Sequence, residues 1–171
     1  MRDVDRDEEF TEYVVARRPA MKRTARLLTA GDEHAAEDLV QTALTRLYVQ
    51  WPKLRAARDP VAYGIRTLTN AFLDERRRAH WRREVLAQPV QTAAPSAGEP
   101  ELRAVVLDAL AGLAPRQRAV VILRHFLDLD VAATAVALGC SPGTVKSQNS
   151  KALDHLRAVL GPQVLTGGAR P

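Results

Sequence analysis

The sequence predicts an all-α protein: two small helical domains joined by a flexible linker, the second carrying a helix-turn-helix. Apolar residues recur at helical spacing, and no stretch alternates with the period of two that a half-buried strand requires. Ala, Leu, Val and Arg dominate while aromatic residues make up only 5%, an alphabet that favours helices over sheets. Residues 88–100, QPVQTAAPSAGEP, hold three prolines, a glycine and no apolar period, which reads as an extended linker. The predicted division is therefore a domain at 1–87, a linker at 88–100, a domain at 101–161 and a tail at 162–171.

The helices follow in order. Residues 8–28 place Phe10, Val14, Ala25 and Leu28 among basic side chains, with Pro19 expected to break or kink the helix. Gly31 and Asp32 punctuate, and Asp32 is positioned as an N-cap. From 33 to 50, Leu39/Val40, Ala43/Leu44 and Leu47/Tyr48 recur every four residues, with Trp51-Pro52 expected to end the helix. After a loop, PKLRAARD, Asp59 and Pro60 begin a helix over 61–80 whose apolar stripe is Val61, Ile65, Leu68 and Phe72. In the second block, 101–111 is amphipathic through Leu102, Val105/Val106 and Leu110. Pro115 opens a helix over 115–127, and 130–138 form a short Ala-rich helix. Gly139 closes it in the left-handed conformation. Ser141 and Pro142 then start a final helix to about 160, with Val145, Ala152, Leu153, Leu156 and Leu160 inward.

A chain of 171 residues with 46% hydrophobic content can bury a core, which excludes wholesale disorder. The single Cys140 excludes a disulfide framework and is most simply a small buried residue in a reducing compartment. No apolar run approaches the ~20 residues that span a bilayer, so no membrane insertion is expected. The acidic start MRDVDRDEEF is unlike a secretory signal. A cytoplasmic protein is expected. His34, His80, His125 and His155 are scattered without metal-ligand spacing, and Gly167-Gly168 follow no strand. Neither a catalytic constellation, a metal site nor a cofactor is expected.

Charge is clustered. Residues 1–12 carry six acids against two arginines, whereas RRRAHWRR at 76–83 carries five arginines and no acid. With a net charge of +5, this distribution fits a polyanionic partner; a solvated helix end accounts for it equally in kind. The sharper signal is the short helix, glycine turn and long helix at 130–160, a helix-turn-helix. The last helix opens SPGTVKSQNSK, with no acid from 141 to 153. Gly143 and Thr144 allow close approach to a groove edge, Lys146 and Lys151 suit phosphate or guanine, and Ser147 or Asn149 can hydrogen-bond bases. Asn149 lies four residues after Val145, on the side expected to be apolar. It either tilts to the flank and reads a base, or lies half-buried at the helix crossing.

The stretches AEDLVQTALTRLY (36–48), DPVAYGIRTLTNAFLDERRR (59–78), LAGLAPRQRAVVILRHF (110–126) and LGCSPGTVKSQNSKALDHLR (138–157) resemble bacterial RNA polymerase sigma factors of the short, two-domain extracytoplasmic-function type. The resemblance spans roughly residues 10–160. It implies that the first domain melts and reads the −10 promoter element and that the second reads the −35 element. It implies docking on the clamp helices of the polymerase largest subunit through Asp38 and Gln41, with Thr42 where the family is usually acidic. It places Tyr63, Arg66 and Asn70 at DNA-contacting positions, followed by the cluster with Arg76 and Arg77. Trp81 there is either a base-stacking residue or a packing residue at the domain edge. On the −35 side it points to Arg124, Lys146, Ser147, Ser150 and Lys151. The helix 130–138 has Ala and Thr where acids are frequent, which bears on contacts with the polymerase flap. An anti-sigma factor is a partner that family members often have. The competing reading is a stand-alone helix-turn-helix regulator whose N-terminal bundle senses a ligand or dimerises.

Overall fold

The computed structural model describes residues 2–86 and 101–161, and every regular element among them is helical. The predicted linker 88–100 and tail 162–171 lie outside the described residues. The order is α1 (Arg2–Leu28), α2 (Glu33–Leu54), α3 (Pro60–Leu86), α4 (Glu101–Ala111), α5 (Pro115–Val121), a π-helical turn (Ile122–Phe126), α6 (Val131–Leu138) and α7 (Pro142–Leu160). No described helix is long and apolar enough to cross a membrane.

Short polar side chains start the helices as expected. Asp32 accepts from the Ala35 amide, Asp59 from the amides of Val61 and Ala62, and Ser141 from that of Thr144, each bond satisfying an otherwise orphaned donor. Asp130 likewise accepts from Ala133, so α6 begins one residue later than its sequence pattern implies. Gly139 has φ 61°, the left-handed conformation in which a glycine carries no Cβ penalty, and it turns the chain from α6 into α7.

Two prolines behave differently from the expectation. Pro19 does not break α1, and the carbonyl it leaves unbonded belongs to Val15, which is 73% exposed, so water can replace the missing donor. Nor does Trp51-Pro52 end α2, which continues to Leu54. Trp51 and Leu54 are both buried, and the Trp51 ring lies 5.2 Å from Phe10 and 5.0 Å from Tyr13, so packing holds the turn helical while Pro52 faces solvent. Helix α1 also starts earlier than expected and α3 runs later, to Leu86. The predicted helix 115–127 divides into α5 and the π-helical turn.

Helices α1, α2 and α3 enclose Leu28, Val40, Leu47, Leu68 and Phe72, all essentially inaccessible; α4, α5 and α7 enclose Leu110, Val121, Ala152 and Leu156. Burying side chains of this size contributes about 1.5–3 kcal/mol each relative to leaving them exposed. The two halves do not stand apart. Helix α6 packs on α3, the end of α1 meets α5, and one apolar cluster runs from Leu28 and Phe72 into Val120, Ile122, Leu138 and Val145. Arg118 secures this junction. It is buried, donates from Nη1 to the Leu28 carbonyl at 2.9 Å, and donates from Nη2 to the carbonyls of Ala111 (3.0 Å) and Leu113 (3.3 Å). Leu28 and Ala111 end α1 and α4, where carbonyls lack helical partners and carry partial negative charge, so one guanidinium serves two helix termini. Burial, aided by Arg76, lowers the Arg118 pKa to about 10, which leaves it protonated at neutral pH.

Three expected core positions are instead open. Val61 is 37% exposed at the rim of an apolar groove facing α6, and Leu102 (67%) and Val105 (45%) lie on the side of α4 away from buried Leu107.

Candidate nucleic-acid interface

The start of α7 carries the residues expected to contact DNA on the −35 side. Ser141 fixes the first turn and its hydroxyl also lies 2.9 Å from that of Thr144, which is half-buried. At 100° per residue, Ser147, Ser150 and Lys151 share the face opposite the buried Val145, Ala152 and Leu156, and Lys146 lies on its flank. Lys146, Ser147, Ser150 and Lys151 are all exposed, and no carboxylate interrupts them. A helix N-terminus without acids, carrying amines and hydroxyls, is complementary to a polyanion.

Arg124 reaches this surface in a different way from the lysines. It is half-buried in the π-helical turn and donates to the Leu129 carbonyl at 2.5 Å, holding the loop before α6. It shares a cleft of about 310 Å³ with Lys146, Asn149, Ser150 and Arg157. Arg157 had no part in the sequence expectation, yet it lies eleven residues after Lys146, which is just over three helical turns and so nearly the same face. Asn149 is half-buried, with Oδ1 3.0 Å from Nε2 of the exposed His125. The helix-crossing alternative describes its position, and a side-chain partner accompanies it.

The second surface lies along α3. Tyr63, Arg66, Asn70, Arg77 and Trp81 are spaced by three, four, seven and four residues, which places them in one stripe. Arg66 and Arg77 are exposed, Tyr63 and Asn70 half-buried. The Tyr63 hydroxyl donates to Oε1 of Gln50 at 2.5 Å, and Arg77 lies 3.9 Å from Asp74. Trp81 is 60% exposed, so it is no packing residue in this arrangement. Arg76 leaves the stripe. It is half-buried with its guanidinium carbon 5.4 Å from the Phe72 ring centroid. Tyr63 and Arg66 also border an apolar groove of about 400 Å³ whose far wall is Leu129 and α6, so the second half of the chain flanks this stripe.

On α2, Asp38 and Gln41 are exposed and Thr42 is half-buried. Oδ2 of Asp38 lies 3.6 Å from Nε2 of His34. Asp38 and Arg76 line one cleft of about 260 Å³ between α2 and α3, which brings together a residue expected to dock polymerase and one expected to contact DNA. Among the described residues, no group of three or more His, Cys, Asp or Glu is arranged to hold a metal.

Known proteins resemble both halves. Residues 14–82 match the family model for sigma-70 region 2, and residues 103–156 match that for sigma-70 region 4. The chain is 40% identical over 158 residues to the RNA polymerase sigma-E factor of Streptomyces avermitilis, covering 89% of this chain and 85% of that protein. It is 34% identical over 142 residues to the ECF RNA polymerase sigma factor SigL of Mycobacterium tuberculosis, covering 78% and 79%. In fold it is similar to the sigma factor RpoE of Bartonella quintana, solved in complex with the anti-sigma factor NepR, with a TM-score of 0.74 and 24% identity over 91% of this chain and 98% of that one.

Proposed function

The chain belongs to the sigma-70 family of RNA polymerase sigma factors, extracytoplasmic-function type, and from that premise we propose how its residues carry the work. A sigma factor directs RNA polymerase to promoters. In our reading α7 reads the −35 element in the major groove through Ser147, Ser150, Lys146 and Lys151, with Thr144 at the groove edge and Arg124 behind. The α3 stripe holds the −10 element as it melts. Arg66 and Arg77 track phosphates, Asn70 and Tyr63 meet bases, Trp81 stacks on an unpaired base, and Arg76 adds charge at the stripe's edge. Asp38 and Gln41 dock on the polymerase clamp helices, without the extra charge an acid at Thr42 would bring. The second domain contacts the flap. Such a protein works where polymerase works, in the cytoplasm, and performs no bond chemistry of its own.

The observation that carries this reading is the solvent-open first half of α7, acid-free through residue 153. Tethering both contacts to polymerase raises the effective concentration of each for its DNA, so neither needs to be tight alone. Promoter binding by the complex with core polymerase, measured over a salt series, tests it. Lys146→Ala and Lys151→Ala should each weaken binding and reduce the salt slope by about 1. Unchanged affinity and slope in both variants would refute the assignment. The stand-alone regulator has no comparable support, since both halves match sigma-factor models in the family order.

A further inference from the structure

The cleft between the π-helical turn and α7 gathers three cations. Lys146, Ser150 and Arg157 follow one another by about one and two turns along a single flank of α7, and Arg124 lines the same cleft from the π-helical turn. No carboxylate is among its walls.

The Arg124 guanidinium is only partly served by the protein. Its Nη1 donates to the Leu129 carbonyl at 2.5 Å, whereas its Nε is buried and has no hydrogen-bond partner. A buried donor on a charged group is costly unless it meets an acceptor. Arg157 is exposed and pairs with Asp154, which is 3.3 Å away and exposed as well. A pair of this kind in water contributes little, so Asp154 gives way readily to a stronger acceptor.

A cation in the last turn of a helix is ordinary, because it meets the partial negative charge there. A half-buried second guanidinium and an ammonium in the same cleft, with no acid between them, need an anion. Phosphate suits them, since its oxygens accept the paired N–H groups of a guanidinium.

We propose that this cleft is a seat for one phosphate group, bound by Arg157 together with Arg124 and the Ser150 hydroxyl. Lys146 and Ser150 also belong to the surface assigned to the −35 element. The phosphate therefore comes either from the DNA backbone at that element or from free phosphate in solution. For the DNA source the proposal rests on the reading of α7 as the −35 helix.

Two arms separate these sources. In the first, the complex of this chain with core polymerase binds promoters in which single phosphates across the −35 element are replaced by uncharged methylphosphonates. One replacement should weaken the wild-type complex and leave Arg157→Gln indifferent, because that variant has already lost the contact. Arg157→Gln should also lower the salt slope by about 1 and leave base preferences unchanged, since a phosphate contact carries no sequence information. Arg157→Lys keeps the charge and should keep the slope. In the second arm, inorganic phosphate is titrated into the full chain and the Arg124 Nε–H resonance is followed by NMR. A saturable shift, lost in Arg157→Gln and not produced by chloride, without any methylphosphonate position coupled to Arg157, would assign the seat to free phosphate. Neither a coupled position nor a saturable shift would overturn the proposal. Lys151 does not line the cleft. If Lys151→Ala still lowers the salt slope in that event, the −35 reading stands without the seat; if it does not, both fail.

Discussion

Gly64 shows how one atom sets the approach of two helices. A Cβ there would collide with the Tyr13 hydroxyl, which donates to the Pro60 carbonyl at 3.2 Å. The tyrosine cannot step aside easily, since its ring lies against Phe10 and Trp51. Gly64→Ala gains up to about 1 kcal/mol of helix propensity, but overpacking of this kind typically costs about 1–3 kcal/mol. The variant should be less stable in urea denaturation. Adding Tyr13→Phe removes the offending oxygen and should recover most of the loss. Additive destabilisation by the two changes would contradict the steric account. At this scale the sequence was informative about polar ends and silent about partners. Asp32, Asp59 and Ser141 are legible as caps because capping is local. The bond between His125 and Asn149, or the donation from Arg124 to Leu129, depends on residues that only folding brings together.

Helix pairs carry their own electrostatics. Glu37 on α2 is hydrogen-bonded by Arg18 and sits 3.4 Å from Lys22, both on α1, and these bonds hold its carboxyl below the usual glutamate range. A carboxyl whose folded pKa is lowered adds stability above its unfolded pKa, and loses that contribution as the pH falls through the folded value. The loss belongs below about pH 4.3, the ordinary glutamate value. Thermal unfolding across pH 3–6 should therefore show a shallower acid decline for Glu37→Gln than for the wild-type chain, with the largest relative change at the acidic end. Parallel declines would show that the α1–α2 pair contributes nothing measurable, a common fate of exposed pairs. The elements themselves were largely readable, because the 3.6-residue period in 33–50 and 61–80 is strong. Their ends were less so. Pro52 falls inside α2 because buried Trp51 and Leu54 outweigh the local preference, and the π-helical turn leaves no pattern that distinguishes it from α-helix.

For the whole molecule, the division into two blocks was visible in the linker composition, but their mutual packing was not. The burial of Arg118 against Leu28 joins positions 90 residues apart, and nothing in the local pattern of RQRAVVILR marks that arginine as interior. The same packing brings α6 alongside Tyr63 and Arg66. The first half of α7 stays open, and so does most of the α3 stripe, which leaves two separate solvent-open surfaces on one chain. The most direct test is transcription in vitro with core polymerase from a library of DNA fragments, with every protein-dependent start site mapped. The account predicts starts only when both proteins are present, each preceded by two conserved elements at fixed spacing, with mutation of either element abolishing the transcript. Transcription indifferent to this chain, or dependence on a single palindromic element that the chain binds without polymerase, would contradict it.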